Sequence, residues 1–113
     1  MQIFRGVVAI AWLLVVGITI HAVLTLGVDQ AGATFIGDFG HPWRAQFNGD
    51  FSAHLLLMAA WIVYREKSAM VGLPCGLLAI LGGGAFSLAY IFIASFRGTG
   101  SAESLLLGYR AAR

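Results

Sequence analysis

The sequence predicts an all-α membrane protein with three transmembrane helices, a surface loop and a short C-terminal interfacial helix. Composition is the first observation: of 113 residues, 59% are hydrophobic and 11% charged, too apolar and too weakly charged for an ordinary soluble domain. The second is the presence of three long apolar runs, each near the roughly 20 residues that cross a hydrocarbon core. The third is that the seven Lys and Arg residues lie near the ends of those runs. The expected helices cover 4–26, 47–65 and 69–96, with a tail helix over 101–112, in a single transmembrane domain, 1–113.

The first helix follows Arg5. Its run exceeds the roughly 7 to 15 residues of a signal-peptide core, and no clear small-residue cleavage site follows, so it is expected to stay as a helix. Thr19, His21 and Thr25 place polarity in its C-terminal half. The connection over 27–46 is glycine-rich and carries Asp29, Asp38, His41, Pro42 and Arg44. A structureless stretch of that length is uncommon, so it is expected to fold on the membrane surface. Phe35, Ile36, Phe39 and Trp43 then form its apolar underside, with Trp at headgroup level.

In the second helix a spacing of four sets Asp50 and His54 on one face, continued by Leu57, Met58 and Trp61. A carboxylate facing lipid is costly, so this face is expected to turn inward. The helix closes on Trp61, Tyr64, Arg65, Glu66 and Lys67, which read as an interfacial anchor: rings at the headgroups, Arg65 and Lys67 toward phosphate, Glu66 paired locally.

Ser68 is the expected N-cap of the third helix, with Pro74 in or near the first turn, where its missing N–H matters least. Gly72, Gly76, Ala79, Gly83 and Ser87 form a small-residue stripe suited to close helix packing. Gly82, Gly83 and Gly84 each cost about 1 kcal/mol of helix propensity relative to Ala, which fits a backbone or a flat ligand packed against them. The lone Cys75 has no disulfide partner and reads as a packing residue. Gly98, Thr99 and Gly100 end the helix. Ser101 then caps the tail, in which Glu103, Arg110 and Arg113 complement the helix dipole and Leu105, Leu106 and Tyr109 supply an apolar face.

Antiparallel threading puts His21 and His54 at one depth, each roughly 8 Å from the same membrane face. Asp50, Asp38 and His41 are assigned to that side, as are Tyr90, Ser95 and Arg97 at the end of the third helix. The expected polar cluster is Asp50, His54, His21 and His41. Arg5, Arg65 and Lys67 share the other side, opposed by Arg44, Arg97, Arg110 and Arg113; discounting the two tail residues, Arg110 and Arg113, leaves a slight bias for the Arg5 side being cytoplasmic.

Dispersed basic residues and a net charge of +2 leave no groove for nucleic acid. No phosphate loop, serine elbow, HExxH or paired cysteines are present, so no enzyme is expected. His41, Asp50 and His54 have metal-binding side chains without a compact ligand spacing, and no metal is expected. Hydrogen bonding between helices is the ordinary use of His21 and His54. As alternatives, the two imidazoles suit a tetrapyrrole, haem b or a chlorophyll-type pigment, with Gly17 one turn before His21 as in light-harvesting polypeptides. Asp50 and His54 also suit an ion path in an oligomer.

The run from Pro42 to Ser68 resembles the core of small multi-helix membrane proteins of unknown function from bacteria and plants. These share a Pro-Trp, a following Asp-Phe and a Trp-x-x-Tyr-Arg-Glu end, here Pro42, Trp43, Asp50, Phe51, Trp61, Tyr64, Arg65 and Glu66. The resemblance covers about a quarter of the chain and implies a helical membrane fold with no assigned activity; His21 and His54 lie outside the shared pattern. The expectation is a non-catalytic accessory or assembly subunit of a larger respiratory or photosynthetic complex. It would sit in a bacterial inner membrane, cytoplasmic or intracytoplasmic, with lipid and other membrane subunits as partners. The alternatives are a tetrapyrrole-binding electron-transfer or light-harvesting subunit and a small oligomeric transporter or channel.

Overall fold

A computed structural model describes residues 1–111. The fold is all-helical, with α1 over Gln2–Leu26, α2 over Asp29–Gly37, α3 over Pro42–Arg65, α4 over Ala69–Gly82, α5 over Gly84–Ala94 and α6 over Ala102–Leu107. Single 3-10 turns follow α2 (Asp38–Gly40) and α6 (Gly108–Arg110). The expected tail helix is shorter than 101–112, and its last residue lies outside the described region.

Only α1, 25 residues long, is both long and apolar enough among the described residues to cross a membrane. α3 is comparable at 24 residues, but Arg44, Asn48, Asp50, Ser52 and His54 make its first half polar. The third expected span is not a single helix. It breaks at Gly83, where φ is +57° and ψ −139°, a backbone state that a residue with a Cβ rarely adopts. α4 and α5 have 14 and 11 residues, roughly 21 and 16 Å of helix, against about 30 Å of hydrocarbon. Neither can cross alone.

Neighbours along the pair establish that it folds back as a hairpin. α4 descends antiparallel to α3: a Cβ at Gly72 would stand 3.4 Å from Val63 Cα, one at Gly76 3.4 Å from the Ala59 carbonyl oxygen, and one at Gly83 3.3 Å from the Phe51 ring. α5 then returns along α1, with Gly84 against Val15, the Trp12 indole N–H donating to the Ala85 carbonyl at 2.8 Å and Arg5 reaching Ser95. The small-residue stripe works as expected on α4, where Gly72, Gly76 and Ala79 are buried and let the two helix backbones approach.

Two further boundaries differ from the sequence reading. Residues 27–46 hold α2 rather than a loop, and α3 starts at Pro42, five residues before position 47. Pro42 is at the first helical position and the imidazole of His41 caps the helix, accepting the Arg44 N–H at 3.4 Å; proline's fixed φ suits that position. Pro74 is the sixth residue of α4, inside the helix and past the first turn, so Met70 loses the donor that would close its i+4 bond. The expected caps form: the Met70 N–H donates to Ser68 Oγ at 3.2 Å and the Ser104 N–H to Ser101 Oγ at 3.1 Å.

The interior is small. Its buried apolar residues are Val8, Ala59, Ile62, Ala79, Ala94 and Leu105, alongside buried Arg65, Glu66, Ser87, Ser95 and Ser104. Val8 is the one buried residue of α1, while Ile10, Leu13, Leu14, Ile18 and Leu24 are all more than half exposed. Cys75 is half-buried and free.

Gly83 supplies a test of the hairpin. Gly83→Ala should lower stability by about 1–3 kcal/mol through backbone strain and contact with Phe51. Gly84→Ala, whose Cβ would meet Val15 at an ordinary 3.5 Å, should change it little. Denaturant titrations of both variants in detergent measure the difference.

Candidate functional site

A buried, mutually hydrogen-bonded polar cluster lies where α3 ends. Arg65, the last residue of α3, is 3% exposed and Glu66, the next residue, 8%. A buried guanidinium requires partners for its donors, and five other residues face this one. Arg65 Nε donates to the Leu105 carbonyl at 2.8 Å, Nη1 to Tyr90 Oη at 2.9 Å and to Glu66 Oε1 at 3.2 Å, and Nη2 to the Ser104 carbonyl at 3.5 Å. The guanidinium also lies 5.6 Å from the ring centroids of Trp61 and Tyr90, which pack edge to face.

Glu66 closes the network. The Tyr90 hydroxyl donates to its Oε1, and Arg97 grips both oxygens, Nη1 to Oε1 at 2.7 Å and Nη2 to Oε2 at 3.2 Å, the two-pronged geometry that suits a carboxylate. The Arg97 hydrogen bond holds the Glu66 carboxyl below the ordinary carboxylate range against the opposing effect of burial, with Tyr90 assisting. The same bond pushes Arg97 upward. The tail is fastened here as well: Trp61 Nε1 donates to the Leu106 carbonyl at 2.9 Å and Arg110 Nε to the Tyr64 carbonyl at 3.2 Å. Gly108, at φ +61°, crosses so close to Arg65 that any Cβ would collide with its carbonyl. Beside this network, Arg5 donates to Ser95 Oγ at 3.0 Å and to its carbonyl at 2.6 Å, and stacks on Phe96 at 3.9 Å.

These contacts correct the sequence reading in two ways. Tyr90, Ser95 and Arg97 belong to the Arg65 end, not to the side of His21, because the break at Gly83 reverses the chain. Arg65 is buried rather than turned toward phosphate at the surface, and Glu66 pairs with it locally as expected but inside the structure; Tyr64 and Lys67 remain exposed and Trp61 is half-buried. The charge distribution changes with them. Arg5, Arg65, Lys67, Arg97 and Arg110 share one end with Glu66 and Glu103, while Arg44 is at the other with Asp29, Asp38 and Asp50; Arg113 lies outside the described residues.

The expected Asp50, His54, His21 and His41 cluster is open. His54 Nδ1 lies 2.8 Å from the Asp50 carbonyl and 3.6 Å from its carboxylate, with side chains 70% and 60% exposed respectively; the Asp50 and His54 part of this face of α3 therefore does not turn inward, while Met58 and Trp61 farther along it are half-buried. His41 serves as a helix cap, Asp38 lies 3.8 Å from Arg44, and His21 is exposed on α1. Among the described residues no hydrogen bond joins His21 to Asp50 or His54, and no group of three or more His, Cys, Asp or Glu side chains could hold a metal.

The sequence reading missed the partnership of Arg65 and Glu66 with Tyr90 and Arg97. The available signal was the Gly82, Gly83, Gly84 run between two apolar segments each too short to span. Chemically, the network ties together the end of α3, the end of α5 and α6, and it borders an open cavity of about 280 Å³ lined by Arg65, Glu66, Lys67, Ser68, Arg97 and Tyr109 among others. Comparison with family models, with curated proteins and with solved structures gives no match for this chain.

Two predictions test the network. Glu66→Gln should cost about 3–5 kcal/mol, the usual effect of breaking a buried ion pair, and Tyr90→Phe about 1–3 kcal/mol through its lost hydrogen bonds, both measured by denaturant unfolding. For pH the sign follows from the lowered carboxyl: the folded state holds Glu66 ionised more strongly than the unfolded chain, so its contribution is present above the ordinary value of 4.5 and lost as pH falls through the lower folded value. Unfolding midpoints of the natural chain should drop on acidification below that value, and Glu66→Gln should reduce the acid-dependent part of the drop.

Proposed function

We propose that this chain is a non-catalytic integral membrane protein acting as an accessory or assembly subunit of a larger respiratory or photosynthetic complex in a bacterial inner membrane. The observation that supports it is α1: a 25-residue apolar helix with Val8 as its only buried residue. Apolar surface on that scale calls for lipid or other subunits around it. In this reading α1 and α3 cross the bilayer, and α4 and α5 form a re-entrant hairpin, its break covered by Phe51 and Val15. The concentration of Arg5, Arg65, Lys67, Arg97 and Arg110 at one end makes that end cytoplasmic. Asp38, His41 and Arg44 then present polar side chains to partners on the opposite side, and the exposed Asp50 and His54, about 22 and 16 Å along α3 from Arg65, call for neighbouring subunits within the membrane.

Membranes from cells producing the protein, washed in alkaline carbonate, test the placement, and native electrophoresis after mild solubilisation tests the partnership. The expected result is retention in the pellet and migration with a complex much larger than the 12.0 kDa chain. Release by carbonate would overturn the membrane reading, and migration as a free small protein would overturn the subunit reading.

One observation favours a second reading, a tetrapyrrole-binding subunit with His54 as ligand. An Nδ1–H donated to the Asp50 carbonyl leaves Nε2 available on an exposed side chain, the arrangement that fixes the tautomer of a ligating imidazole. A Soret or chlorophyll band in the purified protein that disappears in His54→Ala supports this reading; a colourless preparation contradicts it.

A further inference from the structure

We propose that the cavity beside the Arg65 and Glu66 network is a binding site for a phosphate group, carried by an anionic lipid headgroup or free in solution. The cavity, about 280 Å³, is lined by Arg65, Lys67 and Arg97 with Glu66 as the one carboxylate among its lining residues. Glu66 already accepts from Arg65, Tyr90 and Arg97, so its charge is matched and the lining carries a surplus of two positive charges. The unengaged donors are in the right place. Lys67 is exposed and makes no hydrogen bond or ion pair among the described residues, leaving a whole ammonium for an incoming anion. Arg97, with a side chain 52% exposed, uses Nη1 and Nη2 on Glu66, and its Nε makes no hydrogen bond among the described residues. Ser68 lines the same space at the start of α4, adding the positive end of a 14-residue helix.

Position adds a reason for a lipid source. Arg5 and Arg110 hold the same end of the molecule, so in the membrane orientation proposed above the cavity opens at headgroup level. There a cation pair on a preformed scaffold can take an anionic headgroup without reorganising its core. The lipid source rests on that orientation; the phosphate site itself does not.

Native mass spectrometry of the full chain in a non-ionic detergent, titrated with phosphatidylglycerol, phosphatidylcholine or inorganic phosphate, tests the proposal. Phosphatidylglycerol should bind in preference to phosphatidylcholine. Lys67→Gln should weaken it about fivefold, the effect of one cation near an anionic headgroup, and Arg44→Gln, at the opposite end, should leave it unchanged. Lys67 is exposed, so an unaltered unfolding midpoint checks that the variant folds. Binding of inorganic phosphate through Lys67 without a preference between the lipids supports the site and assigns its source to free phosphate. Retention of phosphatidylglycerol that is equal in Lys67→Gln and the natural chain, or reduced equally by Arg44→Gln, would overturn the proposal. A protein released from membranes by carbonate that still binds phosphate through Lys67 keeps this site and loses only the membrane reading.

Discussion

A guanidinium buried at the end of α3 is the constraint on which the rest of this structure depends. Arg65 has to find acceptors for its N–H groups away from water, and a single helix cannot supply them. The acceptors come from Glu66 next door, from Tyr90 on α5 and from the carbonyls of Ser104 and Leu105 on α6. Satisfying one side chain therefore fixes where α5 returns and where the tail docks. Glu66 then needs its own charge matched, and Arg97 meets it from the segment beyond α5. With so few buried apolar residues, packing alone would specify this arrangement weakly. A hydrogen-bonded ionic network specifies it by geometry, because a displaced α5 leaves buried charges unpaired.

The chain can meet that requirement because Gly83 allows a reversal. An uninterrupted helix from Ala69 would carry Arg97 away from Glu66. A left-handed glycine at the tip, two short helices and a stripe of Gly72, Gly76 and Ala79 against α3 instead bring the segment back to its starting level. The same reversal brings Arg97 and Arg110 to the end that holds Arg5, Arg65 and Lys67, opposite Asp29, Asp38 and Asp50, and so sharpens the fold's polarity.

Much of this was legible in the sequence. The all-helical class, the Ser68 and Ser101 caps and the Gly72, Gly76 and Ala79 part of the small-residue stripe follow from local rules, and the structure bears them out. The hairpin did not follow, because hydropathy measures the length of an apolar run and is blind to a reversal inside it; residues 69–96 satisfy a spanning length whether they run straight or double back. Glycine propensity at positions 82–84 carried the missing information, but a backbone packed close to another element and a backbone reversal call for the same residue. With α5 running straight on from α4, Tyr90, Ser95 and Arg97 fall at the far end, and Arg65 reads as an anchor because its partners are out of reach. The two histidines illustrate the opposite limit: depth along a helix follows from residue count, but the face that a side chain presents depends on packing partners, and α1 packs mainly along α5.

The return of α5 is the central claim, and a distance measures it most directly. Spin labels introduced by Lys67→Cys and Thr99→Cys, with Cys75→Ala to remove the native thiol, report their separation by pulsed electron paramagnetic resonance on the protein in detergent or bilayer. A continuous helix between Ala69 and Ala94 would span about 39 Å, holding the labels at least that far apart. The hairpin, in which Lys67 and Gly98 line one cavity, predicts a single narrow population at less than half that distance. A population near the straight-helix value would contradict it.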